Sequence, residues 1–128
     1  MTQIVTPYLH YADVAGALDF LSAAFGFRET LRMPADDGSV NHAEMDVPGG
    51  GHLMLGDPGP DYRTPHQLGG LTQVQFVVID QDVAEHCERA RAAGAVIVQE
   101  PHVQSYGPVG YLAEDPEGHQ WSFNGANR

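Results

Sequence analysis

The chain carries the same order of elements twice, and this repeat limits the folds open to it. Asp13 precedes apolar residues at Val14, Ala17, Leu18, Leu21 and Phe25, the spacing of an amphipathic helix, and Gly26 ends the run. Asp80 precedes Val83, His86, Cys87 and Ala90 at the same period, and Gly94 ends that run. The two Asp are 67 residues apart (80 − 13) and the two Gly 68 apart (94 − 26). A strand leads into each helix and three follow it. Each unit can bury only one face of its sheet under its helix, so the remaining faces are left to curl around a shared cavity. The expected fold is α+β: two βαβββ modules in tandem, helices outside. Of the 128 residues, about 1–56 form module one, 57–70 a linker and 71–128 module two, in a single domain.

The strands follow from alternation. Ile4 to Tyr11 sets Thr6, Tyr8 and His10 against Pro7, Leu9 and Tyr11, and Phe27 to Met33 resumes after the first helix. Val40 to Val47 opposes His42, Glu44 and Asp46 to Asn41, Ala43 and Met45, and His52 to Gly56 returns. In module two the strands are Leu71 to Ile79, Ala95 to Gln99, Val109 to Glu114 and the run after Asp115-Pro116-Glu117-Gly118. There Trp121 and Phe123 take the side toward the helix, opposite Gln120, Ser122 and Asn124. Glu100 to Pro108 is a loop centred on Tyr106-Gly107-Pro108.

Composition excludes several functions. Net charge is −11 with six basic residues and no lysine, so there is no basic footprint for nucleic acid or for an anionic membrane surface. The acidity is compatible with a cationic ligand and equally serves solubility. No apolar run approaches the ~20 residues of a membrane span, and Met1-Thr2-Gln3-Ile4 does not open a secretory signal. With Cys87 alone there is no internal disulfide, and a cytoplasmic location is expected.

Four stretches carry a family resemblance: Pro7-Tyr8-Leu9 before Asp13; Ala17 through Phe25-Gly26-Phe27; His42-Ala43-Glu44-Met45; and Asp115-Pro116-Glu117-Gly118-His119-Gln120-Trp121. Together, in duplicated order, they resemble the vicinal oxygen chelate superfamily, which includes glyoxalase I, bleomycin-resistance proteins and extradiol dioxygenases. The nearest style is that of the small glyoxalase-like members. The resemblance implies paired βαβββ modules and a homodimer. It also implies metal ligands (His, Gln or Glu) on the first and last strand of each module. By register those positions are Thr6, Met54, Gln73 and Ser122. Thr, Met and Ser are poor ligands for a hard or borderline divalent ion, and Gln73 alone does not hold one, so no metal and no cofactor is expected. Without a metal, the Lewis-acid step of the superfamily's best-known chemistry has no centre.

By parity, His10, His42, Glu44 and His52 share the inner face of module one. Such a set can form a displaced zinc or iron site, a general acid/base group, or pocket-wall residues that satisfy one another. His86 and Cys87, adjacent on a helix, point about 100° apart and read as packing rather than as a nucleophile pair. The expected function is binding of a small organic molecule, on the pattern of bleomycin-resistance sequestration. The expected site comprises Tyr8, His10, His42, Glu44, His52, Met54, Gln73, Gln75, Tyr106 and Ser122, with no catalytic residue. The alternative is a glyoxalase-type lyase, isomerase or dioxygenase with its metal at the displaced site. Whether the two modules of one chain close on each other or on a partner's is open.

Overall fold

A computed structural model describes residues 3–126, in eight strands and three helices. The elements are β1 (Tyr8–His10), α1 (Val14–Phe25), β2 (Arg28–Pro34), β3 (Val40–Val47), β4 (Gly51–Gly56), α2 (Pro65–Leu68), β5 (Val74–Ile79), α3 (Val83–Ala92), β6 (Val96–Val103), β7 (Val109–Glu114) and β8 (Gln120–Gly125). They form two four-stranded mixed sheets of matching order, β1-β4-β3-β2 and β5-β8-β7-β6. Within each sheet the first strand pairs parallel with the last and the other pairs are antiparallel. This is the expected tandem βαβββ arrangement. The sheets do not close into a barrel, because no hydrogen-bonded ladder joins β1 to β5.

Helix α1 keeps the expected limits. The Asp13 side chain accepts from Gly16 N at its start, and Gly26 closes it in the left-handed region at φ 77°. Helix α3 corrects the repeat: its N-cap is Asp82, whose side chain accepts from Glu85 N, and not Asp80. Both Asp80 and Asp82 can cap in sequence, and the hydrogen bond from Glu85 N decides for Asp82. Tyr8 pairs with Met54 in sheet one, and Phe76 pairs with Ser122 in sheet two. Both members shift by 68 residues (76 − 8 and 122 − 54), which makes Val74 the equivalent of Thr6 (74 − 6 = 68). The expected third position, Gln73, is therefore one residue early.

Other boundaries also move. Strand β1 is three residues long, since Pro7 has no N–H to donate to a ladder, although its carbonyl still accepts from Met54 N at 3.0 Å. Strand β6 runs on to Val103 through two register shifts, so half of the expected Glu100–Pro108 loop is strand. The 57–70 stretch contains helix α2, held by a reciprocal capping box between Thr64 and Gln67.

The helix-facing sides of both sheets contribute to one buried cluster. Phe25 of α1 lies 4.6 Å from Phe123 and 5.7 Å from Trp121, ring centre to ring centre, so the helix of module one packs on the strand of module two. His86 is buried beside them with its Nδ1 2.5 Å from the Tyr111 hydroxyl, and burial lowers its pKa, as expected of a packing residue. Cys87 is buried beside Arg91, and burial raises its pKa. The Arg91 guanidinium sits among Cys87, Glu88 and Glu100, the one group of ligand-type side chains that converges among the described residues.

The Asp115–Gly118 turn fastens the two modules together. Asp115 is buried and its Oδ1 accepts from the backbone N–H of Glu117, Gly118 and His119. Its Oδ2 accepts from Tyr11 Oη at 2.7 Å and Trp121 Nε1 at 3.2 Å. The Glu117 carboxylate reaches into module one, where it accepts from Ala12 N at 2.7 Å and Asp13 N at 2.8 Å, just ahead of α1. His119 Nε2 and the Tyr62 hydroxyl both donate to the His10 carbonyl.

Candidate functional site

Leu9, Ala43, Met45, Leu53 and Leu55 turn toward the helices and are buried. Strict alternation therefore sends Tyr8, His10, His42, Glu44, Asp46, His52 and Met54 to the opposite, open face of sheet one. Tyr8, Met54 and Glu44 form one row, and His52 pairs with Asp46 in the next.

These side chains form a continuous hydrogen-bonded line. Glu44 spends one carboxylate oxygen on each imidazole: Oε2 lies 3.1 Å from His42 Nε2, and Oε1 lies 2.9 Å from His52 Nε2. His52 Nδ1 is 2.9 Å from Asp46 Oδ1, and Arg28 donates to Asp46 Oδ2 at 2.6 Å. At the other end the Tyr8 hydroxyl is 3.2 Å from His42 Nδ1. Ionised carboxylates only accept, so each imidazole nitrogen that faces one donates to it. His52 faces a carboxylate at both nitrogens and so carries both protons, as an imidazolium. His42 donates from Nε2, and in its neutral form Nδ1 accepts from the Tyr8 hydroxyl. Consistent with this, Asp46 and then Glu44 raise the pKa of His52, while His42 and then His52 lower that of Glu44.

A pH dependence follows. A raised folded pKa contributes stability that is full below the unfolded value of about 6.5 and is lost as the pH rises through the folded value. The Tm advantage of the wild type over His52→Gln is therefore expected to shrink above about pH 6.5. Because the pair is partly solvated, the change is on the order of 1–3 °C, read by thermal scans across that range. An equal Tm difference at every pH would contradict the doubly clamped imidazolium.

The line also bears on the displaced metal site expected as the alternative. His42, Glu44 and His52 do not converge on a point, because the carboxylate stands between the imidazoles with one oxygen turned to each. His10 stays outside the line, its ring 5.7 Å from Tyr8 and 5.8 Å from Tyr62.

Two cavities lie along the seam between β1 and β5. One, of about 400 Å³, is bordered by Thr6, Pro7, His52 and Phe76. The other, of about 260 Å³, is bordered by Tyr8, His10, Tyr62, Gln73, Gln75 and Gln120. Gln75 pairs with Trp121, so it is not beside Ser122, where Phe76 stands instead. It reaches the seam from the edge of the strand. Tyr106 and Ser122 form a third group, joined by Asn124: the Tyr106 hydroxyl donates to Asn124 Oδ1 at 2.8 Å, and Asn124 Nδ2 donates to Ser122 Oγ at 3.0 Å. Nine of the ten expected site residues thus fall among the line, the two cavities and this last group, with Tyr8 and His52 each common to the line and a cavity, while Met54 stands apart in the row of Tyr8 and Glu44. Asp46, Phe76 and Asn124 belong with them and were not expected there. The parity of Asp46 with Glu44 and of Asn124 with Ser122 would have included two of them.

A family model for the Glyoxalase/Bleomycin resistance protein/Dioxygenase superfamily matches residues 3–123. The chain belongs to that superfamily. An uncharacterised protein of Mycobacterium bovis is 36% identical over 124 residues, covering 93% of this chain and 80% of its own. Among solved structures, TioX from Micromonospora sp. ML1 is similar at 37% identity and TM-score 0.76, with 96% of this chain and 98% of that one covered. A lactoylglutathione lyase from Agrobacterium tumefaciens shares the fold at 21% identity and TM-score 0.66, over 98% of this chain and 95% of that one. Against the superfamily's ligand pattern the open faces present Thr6, Met54, Val74 (in place of Gln73) and Ser122, none of which offers an imidazole or a carboxylate. No helix among the described residues is long and apolar enough to cross a membrane.

Proposed function

We propose that this superfamily member binds a small organic molecule on the open faces of its sheets without a resident metal, in the manner of bleomycin-resistance sequestration. One observation carries the reading: the four ligand positions hold no imidazole or carboxylate, and His42, Glu44, His52 and Asp46 nearby are engaged with each other. What remains is a binding surface. Sheet one supplies Tyr8 and a polar line in which Glu44 and Asp46 are balanced by His52 and Arg28. Sheet two supplies Val74, Phe76 and Val78, with Tyr106 6.0 Å from Phe76, ring centre to ring centre. A planar molecule fits between such walls, with a polar end toward Glu44 and Tyr8. A cationic ligand would replace His42 or His52 as the partner of Glu44.

The exposed apolar side chains Val74, Phe76 and Val78 form a row along β5, at one edge of sheet two, where a second copy of the chain would close the binding surface. The binding unit in this reading is a cytoplasmic homodimer.

Bleomycin and a panel of planar aromatic antibiotics serve as probes in thermal-shift scans. A binder at about a hundredfold over its Kd should add roughly 2.7 kcal/mol of stability. Tyr8→Ala and Phe76→Ala should remove that gain. Absence of any shift across the panel would count against sequestration. Stoichiometric zinc, nickel, manganese or iron in the purified protein, lost on His42→Ala, would overturn the metal-free reading in favour of a glyoxalase-type enzyme.

A further inference from the structure

We propose that Tyr8, His42 and Glu44 form a metal-independent proton relay that makes the Tyr8 hydroxyl a nucleophile toward small activated acyl compounds. The three groups stand in the order hydroxyl, imidazole, carboxylate that such a relay needs. Glu44 Oε2, at 3.1 Å, fixes the proton of His42 on Nε2. In the neutral imidazole the lone pair of Nδ1 then faces Tyr8 Oη, 3.2 Å away. His52, clamped between Glu44 and Asp46, holds the carboxylate from its other oxygen, so Glu44 cannot rotate away from His42 without breaking a second contact.

The fold makes room for this alignment at one residue. Gly56 pairs with both His10 and His42, and the Tyr8 ring lies over it: a Cβ there would stand 2.4 Å from Tyr8 Oη and 2.9 Å from Cζ. Gly56 has no left-handed φ, so its want of a side chain is spatial and not conformational. It acts as a positioning residue for Tyr8.

The protein contains its own control. Tyr8 and Tyr106 are 51% and 52% exposed. Tyr106 donates to the amide oxygen of Asn124, which cannot accept a proton at neutral pH, whereas Tyr8 donates to an imidazole, which can. In the proposed step Tyr8 Oη forms a bond to the acyl carbon and its proton passes to His42 Nδ1. The bond from the acyl carbon to the leaving oxygen breaks, and that oxygen departs with the electron pair. The imidazolium is stabilised by Glu44. Water then opens the acyl-tyrosine, His42 having returned its proton to solvent, and the acid is released.

The relay shares residues with the binding reading but does not depend on it, since the test needs no bound ligand. The full-length protein is treated briefly with p-nitrophenyl acetate and the acetylated residues are mapped by mass spectrometry. Tyr8 is expected to be acetylated at least about a hundredfold faster than Tyr106, the lower end of what a positioned base supplies. His42→Gln and Gly56→Ala should each bring Tyr8 down to the rate of Tyr106 while leaving Tyr106 unchanged. Gly56→Ala changes no relay group and displaces only the free end of a tyrosine, so it keeps the test decisive if His42→Gln destabilises the fold. Equal rates at Tyr8 and Tyr106 in the wild type would overturn the proposal, as would a Tyr8 rate indifferent to both substitutions.

Discussion

Replacing Asp115 by alanine is expected to lower stability by about 4 kcal/mol, near the upper end of what single substitutions do. The carboxylate is buried and accepts from five donors: three backbone N–H groups, Tyr11 Oη and Trp121 Nε1. Alanine leaves the two side-chain donors inside the protein without partners, and each costs about 1–3 kcal/mol. The turn loses the contacts that shape it as well. Asp115→Asn should cost less, since an amide oxygen still accepts from part of the set. Urea titration checks this as a fall in midpoint at constant m. A loss under about 1 kcal/mol would mean that water reaches the site and replaces the carboxylate.

Trp121→Ala is the second large effect, at about 3–5 kcal/mol. The indole is fully buried between Phe25 and Phe27, at 5.7 and 5.5 Å between ring centres, and its N–H donates to Asp115. Trp121→Phe keeps most of the packing and loses the hydrogen bond, and should cost about 1–2 kcal/mol. Because Trp121 and Asp115 share that bond, Asp115→Ala combined with Trp121→Phe should cost measurably less than the two losses added. Circular dichroism is the appropriate probe, since Trp121 is the only tryptophan. Strict additivity would place the coupling elsewhere.

The repeat, the first helix with both caps, the Trp121 face and the module order are legible in the sequence because each rests on a local period or a local cap. The third ligand position is not. Two aspartates, Asp80 and Asp82, compete as caps: counting from the first shifts the comparison by 67 residues and lands on Gln73, counting from the second shifts it by 69 and lands on Gln75, and only the paired strands give the 68 that lands on Val74. In a strand that slip exchanges faces, and it concealed Phe76 as the neighbour of Ser122. The line from Tyr8 to Asp46 is half legible: parity placed its members on one face, but only the pairing of β3 with β4 shows that Glu44 stands between two imidazoles and not beside them. The grip of Glu117 on Ala12 and Asp13 could not be read from the chain at all, because nothing local connects residues 104 or more positions apart.

That grip also fixes an order of events during synthesis. The first helix is complete in sequence by residue 26, yet the carboxylate that satisfies the backbone N–H groups at its entrance leaves the ribosome about ninety residues later, after almost all of the second module. At roughly 5–20 residues per second the nascent chain waits several seconds with that entrance open to solvent. Final locking belongs to the last turn made, and a chain cut short before Glu117 would have the helices of both modules without the carboxylate that ties the last turn to Ala12 and Asp13.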